Sequence, residues 1–241
     1  MNFEELTVLV TGANRGLGRH FVESLLLRGV RRVYASTRTE CSFENPRVTP
    51  VSLDVTCHQD VAQAVVQCAD VNLVINNAGI MLSSPAMASD AQESLRREME
   101  VNVFGLHAMI HAFAPVLARN GGGGIINMLS VVSWFTSPFN ATYGASKHAA
   151  LSISDAARIE LADQKTQVTG VYAGFIDTEM TAHLTAAKSS PQDVVNKALD
   201  GYAAGVEHVL GDERAKQVLY DLQHSPDMFL HKLKNAWAQR S

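Results

Sequence analysis

The chain has 241 residues, 46% of them hydrophobic, with a formal net charge of -4 and three cysteines. That length accommodates one α/β domain with a well-buried core and no second domain, and an acidic balance without any Lys/Arg block argues against nucleic acid or an anionic membrane as the main partner. Cys41, Cys57 and Cys68 are odd in number and lack metal or redox spacing, which fits reduced thiols in a cytoplasmic chain; the first apolar run starts at Leu6 and leaves no room for a secretory leader, and no run is expected to span a bilayer.

Leu6-Thr7-Val8-Leu9-Val10 is the kind of β-branched run that is buried in a parallel sheet. Thr11-Gly12-Ala13-Asn14-Arg15-Gly16-Leu17-Gly18 follows at once, and a helical pattern then runs through Phe21, Val22, Leu25, Leu26 and Leu27 to a stop at Gly29. Between a strand and a helix, glycines let backbone N–H groups approach a pyrophosphate at the helix's positive end, so Gly12, Asn14, Arg15, Gly16, Leu17 and Gly18 are candidate nucleotide contacts. The second strand, Arg32-Val33-Tyr34-Ala35-Ser36, ends where an Asp or Glu about 20 residues past the glycines meets the ribose of a cofactor lacking a 2′-phosphate. Here the chain has Ser36, Thr37, Arg38 and Thr39 instead. Arg15 and Arg38 offer two guanidinium groups to a phosphate dianion, which favours NADP(H) over NAD(H). The alternative is that both are solvated surface charges, with Glu40 just beyond.

A third strand, Val48 to Leu53, leads to Asp54-Val55, where Asp54 either accepts from an adenine amino group or caps a helix near Thr56. A short helix (Gln59 to Cys68) and a fourth strand (Val71 to Ile75) precede Asn76-Asn77-Ala78-Gly79, whose small residues let the backbone run close to a ribose. From Ser89 to Arg119 the pattern is helical, with Asn102 inside it: either an amide facing solvent or one held by a local kink to bind water. His107 and His111 are four apart without a matching third ligand, so a structural or interface role is favoured and no metal is expected.

The fifth strand, Ile125 to Leu129, ends at Ser130. Tyr143 and Lys147 share one face of the next helix. An ammonium held beside a phenol favours phenolate and lowers its pKa from about 10, so that Tyr143 can exchange a proton with a carbonyl or alcohol oxygen near pH 7. The Ser130 hydroxyl can donate to the same oxygen. The competing reading is an ordinary surface pair on an amphipathic helix. Trp134, Phe135, Phe139, Met180 and Leu184 are expected to line an apolar substrate side. The sequon Asn140-Ala-Thr142 falls in this loop and is expected to be silent. A sixth strand, Gln167 to Ala173, closes with Gly174 to Thr178; a short lid spans about 179–191, a helix starts near Pro191, and 212–241 is a helical tail broken at Ser225-Pro226. Strands alternating with helices predict an α/β, doubly wound parallel sheet.

Together, Thr11-Gly-x-x-x-Gly-x-Gly18, Asn76-Asn-Ala-Gly79, Asn102, Ser130 and Tyr143-x-x-x-Lys147 resemble the motif set of the short-chain dehydrogenase/reductase family over essentially residues 5 to 205. The resemblance implies a single-domain, Rossmann-type sheet of six or seven strands flanked by helices, and an NADP-preferring, carbonyl reductase-like member. It implies that Tyr143 is the general acid/base, that Ser130 positions the substrate oxygen, that Lys147 holds the nicotinamide ribose and tunes the tyrosine, and that Asn102 anchors a water in a proton relay. Carried over in the same way, Asp54 and Val55 meet the adenine, Asn77, Ala78 and Gly79 the ribose, and Gly174, Ile176 and Thr178 the carboxamide side. The expected partners are a small, apolar carbonyl or alcohol substrate and a second copy of the chain, in a homodimer through the helices bearing Asn102 and Tyr143 or in a homotetramer. Two departures stand out: Ala173-Gly174 replaces a Pro-Gly pair, and Glu207 to Gly211 is a poor substitute for the seventh strand.

Overall fold

The computed structural model describes residues 2–39 and 42–240, so Glu40 and Cys41 lie outside the described residues. Seven strands form one parallel sheet in the order β3-β2-β1-β4-β5-β6-β7, with β1 Thr7–Val10, β2 Arg32–Thr37, β3 Val48–Ser52, β4 Leu73–Asn76, β5 Gly123–Met128, β6 Thr166–Tyr172 and β7 His208–Leu210. Parallel strands need crossovers, and these are supplied by α1 (Gly16–Leu27), α2 (His58–Gln67), α3 and α4 (Ala91–Met99 and Leu106–Arg119), α5 (Ala141–Glu160) and α6 (Pro191–Ala203). Helices on both faces explain why the strands are apolar runs rather than alternating ones. Val8, Val10, Ile75 and Ile126 pack under α1 and α6, while Leu9, Val74, Ile125 and Val168 pack under α2, α4 and α5. The strand order reverses between β1 and β4, and the crevice outside the carboxyl ends of strands at such a point is where ligands bind.

Three expectations change. The seventh strand exists: β7 pairs in parallel with β6, Val209 is buried, the Gly211 N–H donates to the Tyr172 carbonyl (2.7 Å), and the Tyr172 hydroxyl is bonded to His208 Nδ1 (2.8 Å). Three residues held by such tertiary contacts leave too little periodicity to read. No bilayer-spanning run was expected, yet Ala91–Arg119 is one continuous 29-residue helix, long and apolar enough to cross a membrane by length and composition. Its apolar side is taken up by the sheet, with Met109, Ile110, Phe113, Val116 and Leu117 buried there. Third, the helical tail, which the sequence leaves without a role, packs into the molecule. α7 (Glu213–His224) and α8 (Pro226–Ala238) close a third core with Leu129, Val131 and Val132 of the loop after β5.

Candidate active site

The glycine turn after β1 is fixed by close approach. Gly12 (φ +65°) and Gly16 (φ +50°) adopt the left-handed backbone that glycine tolerates. A Cβ on Gly18 would lie 2.1 Å from the Gly12 carbonyl oxygen and 2.7 Å from Asn77 Nδ2. Asn77 is itself pinned, donating to the Thr11 and Gly12 carbonyls (2.8 and 3.2 Å), and Thr11 Oγ1 accepts from the Asn77 and Ala78 N–H groups (both 2.9 Å). Gly18→Ala must therefore push α1 off the turn. Its expected cost is about 3 kcal/mol, the upper end for overpacking, together with a more than tenfold loss of nucleotide affinity; denaturant unfolding and a fluorescence titration check both.

Beside the turn lies a cleft of about 410 Å³, lined by Asn14, Arg15, Gly16, Arg19, His20, Glu23, Asp177, Thr178 and Glu179. Arg19, His20, Glu23, Asp177 and Glu179 were not foreseen; the signal available was that Arg19 and His20 follow Gly18 on the first turn of α1. Two of the acids are already engaged, Glu23 with Arg19 (3.1 Å) and Asp177 with Lys188 (3.6 Å), which leaves the Arg15 guanidinium, without an ion-pair partner among the described residues, at the open end of the helix. Leu17 turns the other way and packs on the core beneath α1. Backbone donors at a helix N-terminus, flanked by guanidinium groups, fit a dinucleotide diphosphate, although a Glu179 carboxylate oxygen lies 3.2 Å from where a Cβ on Gly16 would be and must give way to it.

Arg38 is exposed at the end of β2, close enough to Asp54 for its charge to help hold that carboxyl below the usual range, although burial opposes the shift. Asp54 Oδ1 accepts from the Thr56 N–H and hydroxyl (2.9 and 2.7 Å), which holds the turn before α2 but does not cap the helix, whose N-cap, Cys57, has no side-chain bond. Val55 is buried against the helix bearing Asn102: a Cβ on Gly105 would meet its Cγ2 at 2.6 Å.

Asn102 sits in a π-helical turn, Glu100–Gly105, between α3 and α4, so the kink is present. Its Oδ1 accepts from the Ile80 N–H (2.9 Å), and its Nδ2 donates to the Ile80 carbonyl (2.9 Å) and to Ser146 Oγ (3.0 Å), which in turn donates to the Tyr143 carbonyl (2.8 Å). Gly79 lies against this group, with Asn102 Oδ1 and Lys147 Nζ 3.1 and 3.9 Å from where its Cβ would be. His107 and His111 stack on the exposed face of α4, ring centroids 6.1 Å apart.

Ser130 ends the loop after β5 and caps a short turn, Val131–Ser133. Its hydroxyl donates to the Ala173 carbonyl (3.4 Å) and stands beside the Tyr143 phenol, whose pKa it acts to lower. Lys147 is buried; its Nζ donates to the Met128 carbonyl (2.8 Å) and lies 5.7 Å from the Tyr143 ring centroid. Ser130, Tyr143, Lys147, Asn102 and Gly79 thus meet at the carboxyl edge of β4 and β5. The expected direction of the tyrosine's shift is corrected: burial pushes the Tyr143 phenol up, the buried Glu98 carboxylate adds to this, and only the Ser130 hydrogen bond pulls it down. The ammonium fails to win because it is itself desolvated, with the Lys147 pKa down to about 8.

On the other side, the Gly174 N–H donates to Asp212 Oδ2 (2.8 Å), which also accepts from Ser189 Oγ (2.8 Å), while Oδ1 caps α7 at Ala215 (2.8 Å). This buried carboxylate, missed in the sequence, ties down the loop that lacks the proline. The segment expected as a lid, about 179–191, lies in the connection between β6 and α6, where Ile176 bridges to Ser189, Thr178 lines the cleft and Met180 is 43% exposed. Of the predicted substrate-side aromatics, Trp134 stacks on Tyr172 (4.2 Å), Phe135 meets Phe229 (4.9 Å) edge-on, and Phe139, 42% exposed, meets Trp237 (5.2 Å). The C-terminal helices therefore support the loop from behind. Asn140 and Thr142 of the sequon are buried, which shields the asparagine from a glycan.

The short chain dehydrogenase family model matches residues 6–189. A curated relative, Carbonyl reductase [NADPH] 2 of Sus scrofa, is 32% identical over 191 residues, covering 77% of this chain and 78% of its own. Dehydrogenase/reductase SDR family protein 7-like of Anopheles gambiae is 27% identical over 259 residues, covering 94% and 81%. A crystal structure of a short chain dehydrogenase from Burkholderia cenocepacia J2315 in complex with NADP superimposes with a TM-score of 0.93 at 38% identity, covering 97% of this chain and 99% of that one. A matched segment that runs from β1 through the glycine turn and the Ser130, Tyr143 and Lys147 cluster to the end of the lid places this chain in the short-chain dehydrogenase family.

Proposed function

We propose that the protein reduces an apolar or aromatic ketone or aldehyde with NADPH, and in reverse oxidises the secondary or primary alcohol. The chain is an NADP-dependent oxidoreductase acting between CH–OH and C=O groups, as its family membership and NADP-bound structural relatives support. The glycine turn and the N-terminus of α1 hold the diphosphate, Arg15 and Arg38 the 2′-phosphate, and Asn77, Ala78, Gly79 and Lys147 the nicotinamide-side ribose. When bound, NADPH supplies the hydride. Ser130 donates a hydrogen bond to the carbonyl oxygen, Tyr143 delivers the proton to that oxygen, and Lys147 with the Asn102 group holds the tyrosine's face of the helix in place.

The observation that carries this reading is the buried Lys147 between the Tyr143 ring and Gly79, two residues past the Asn77 that is bonded to the glycine turn, with the Ser130 hydroxyl beside the phenol. A solvated surface pair would not be buried in this way. The test is consumption of NADPH against NADH over a panel of ketones, aldehydes and diketones; turnover with none of them overturns the proposal. Substituting Arg15 and Arg38 together by alanine is expected to raise the KM for NADPH by about 100-fold or more and leave NADH turnover nearly unchanged, since each charge-assisted contact contributes roughly 1.5–3 kcal/mol. An equal effect on both cofactors would remove the 2′-phosphate assignment. A homodimer through α4 and α5 belongs to the same proposal. Phe104 stands 58% exposed on that side of the molecule, in helical register with His107 and His111.

A further inference from the structure

The connection between β6 and α6 leaves the sheet and returns to it through a closed neck. The Ser189 N–H donates to the Phe175 carbonyl (2.8 Å), the Asp177 N–H donates to the Ser189 carbonyl (2.9 Å), and Ile176 bridges to Ser189 between them. Beyond the neck, the segment carries Thr178 and Glu179 to the wall of the cleft beside the glycine turn. At the base of the neck, one side chain from a distant part of the sequence joins both stems. Asp212, 4% exposed, follows β7; its Oδ2 accepts from the Gly174 N–H on the outgoing stem and from the Ser189 hydroxyl on the returning one (both 2.8 Å). Its other oxygen, Oδ1, accepts from the Ala215 N–H (2.8 Å) and so caps α7.

The carboxylate is a fixed point. The Gly211 N–H, bonded to the Tyr172 carbonyl (2.7 Å), sets the Asp212 backbone beside the end of β6. The first turn of α7 also presses directly on the outgoing stem, since a Cβ on Gly174 would lie 2.8 Å from Arg214 Cγ. Ala215 and Val218 of the same helix are buried in the third core with Val131 and Val132, the residues that follow Ser130. One end of α7 thus supports the serine loop on one side and the neck on the other. The position calls for a carboxylate: two backbone N–H groups, which cannot turn round, point at its two oxygens, and a carboxamide would present its own NH₂ to one of them.

We propose that Asp212 is a positioning residue of the cofactor site: by joining both stems of the neck to the first turn of α7, it holds the β6–α6 connection, and with it Thr178, against the glycine-turn cleft. The inference rests on the cofactor reading of that cleft given above. A connection released at its neck spends part of its time away from the cleft, and the apparent affinity for the dinucleotide falls by the fraction of molecules in which the neck is closed.

Asp212→Ser separates the clasp from the cap. Serine is as good an N-cap as aspartate, so the Ala215 N–H keeps an acceptor, while one short hydroxyl leaves Gly174 and Ser189 without theirs. Both are half-buried, where water takes the place of the lost oxygen, and the melting temperature is expected to stay within about 4 °C of the parent's. Amide exchange over residues 175–189, followed by mass spectrometry, is expected to become about tenfold faster, because the bonded Asp177 and Ser189 N–H groups exchange only when the neck opens. The Kd for NADPH, from fluorescence titration, is expected to rise about tenfold. Exchange at the parent's rate overturns the proposal, as does faster exchange with an unchanged Kd; a role confined to capping α7 predicts that neither moves, because serine restores the cap. Should Asp212→Ser not fold, Ser189→Ala removes one of the two bonds to Oδ2 and leaves the cap and Gly174 in place. It is expected to speed exchange and weaken NADPH binding by about threefold each, and parent values there overturn the proposal equally. Neither readout uses turnover, so the result stands apart from whether ketones or aldehydes are reduced. A parent that does not bind NADPH is a separate failure, which removes the cofactor reading of the cleft and the proposal with it.

Discussion

Tyr143→Phe is expected to lower kcat for carbonyl reduction roughly a thousandfold while NADPH affinity changes by no more than about threefold. In the proposed function the phenol is the acidic hydrogen that meets the carbonyl oxygen held by Ser130, whose hydroxyl stands beside it. Positioned general acids contribute on the order of 10²–10⁴ in rate, so the loss belongs in kcat and not in cofactor binding. Stability should hardly move. The phenylalanine keeps the ring's contacts with the third core, and Ser130 retains the Ala173 carbonyl, so a loss of about 1 kcal/mol is the upper end. Stopped-flow NADPH oxidation and fluorescence titration check both halves. Residual turnover within tenfold of the parent sinks the role; a proportionate loss of NADPH binding would mean that the ring only shapes the cofactor site.

Burial explains why the tyrosine's pKa is raised and not lowered as the four-residue spacing predicts. Four-residue spacing places Tyr143 and Lys147 on one face but says nothing about which oxygen the ammonium bonds. In the structure that oxygen is the Met128 carbonyl, and both side chains are desolvated together. Desolvation disfavours phenolate and ammonium alike, so the pair does not help itself as an exposed pair would. The glycine turn, by contrast, was legible because each of its constraints is local: the strand, the positive φ at Gly12 and Gly16 and the first turn of α1 all follow within a dozen residues. The same holds for Asn102, whose propensity conflict in mid-helix pointed to the π turn it occupies. What stayed hidden depends on contacts between distant parts of the chain. Asp212 holds Gly174 from 38 residues away, Glu98 reaches a loop 15 and 16 residues before it, and Trp237 touches Phe139 across nearly a hundred. None of these leaves a period or a short-range spacing to detect, and β7 is too short to leave one.

Lys147→Met is expected to make the protein more stable at neutral pH and nearly inactive. A buried ammonium with one carbonyl acceptor and no carboxylate partner among the described residues is held at a cost, visible as a pKa lowered by burial from 10.5 to about 8. The sign follows from proton linkage: between those two values the unfolded chain holds the proton and the folded one does not, so the parent gains stability as pH rises from about 8 to about 10.5. Below about 8 the whole cost is present, about 3 kcal/mol at 1.36 kcal/mol per unit. Methionine fills the same channel without charge, and the Met128 carbonyl loses a donor worth about 1 kcal/mol, which leaves a net gain of about 2 kcal/mol at pH 7. The advantage should disappear by about pH 10.5, where the parent's lysine is neutral in both states. Activity should fall about a hundredfold or more, because the same cation is the group proposed to hold the nicotinamide-side ribose. Denaturant unfolding of both proteins at pH 7 and pH 10.5, with steady-state reduction rates, gives the answer. A variant less stable than the parent at pH 7 would mean that the ammonium is compensated by its surroundings, and retained turnover would mean that reduction proceeds without it; either result breaks the link between the buried charge and the chemistry.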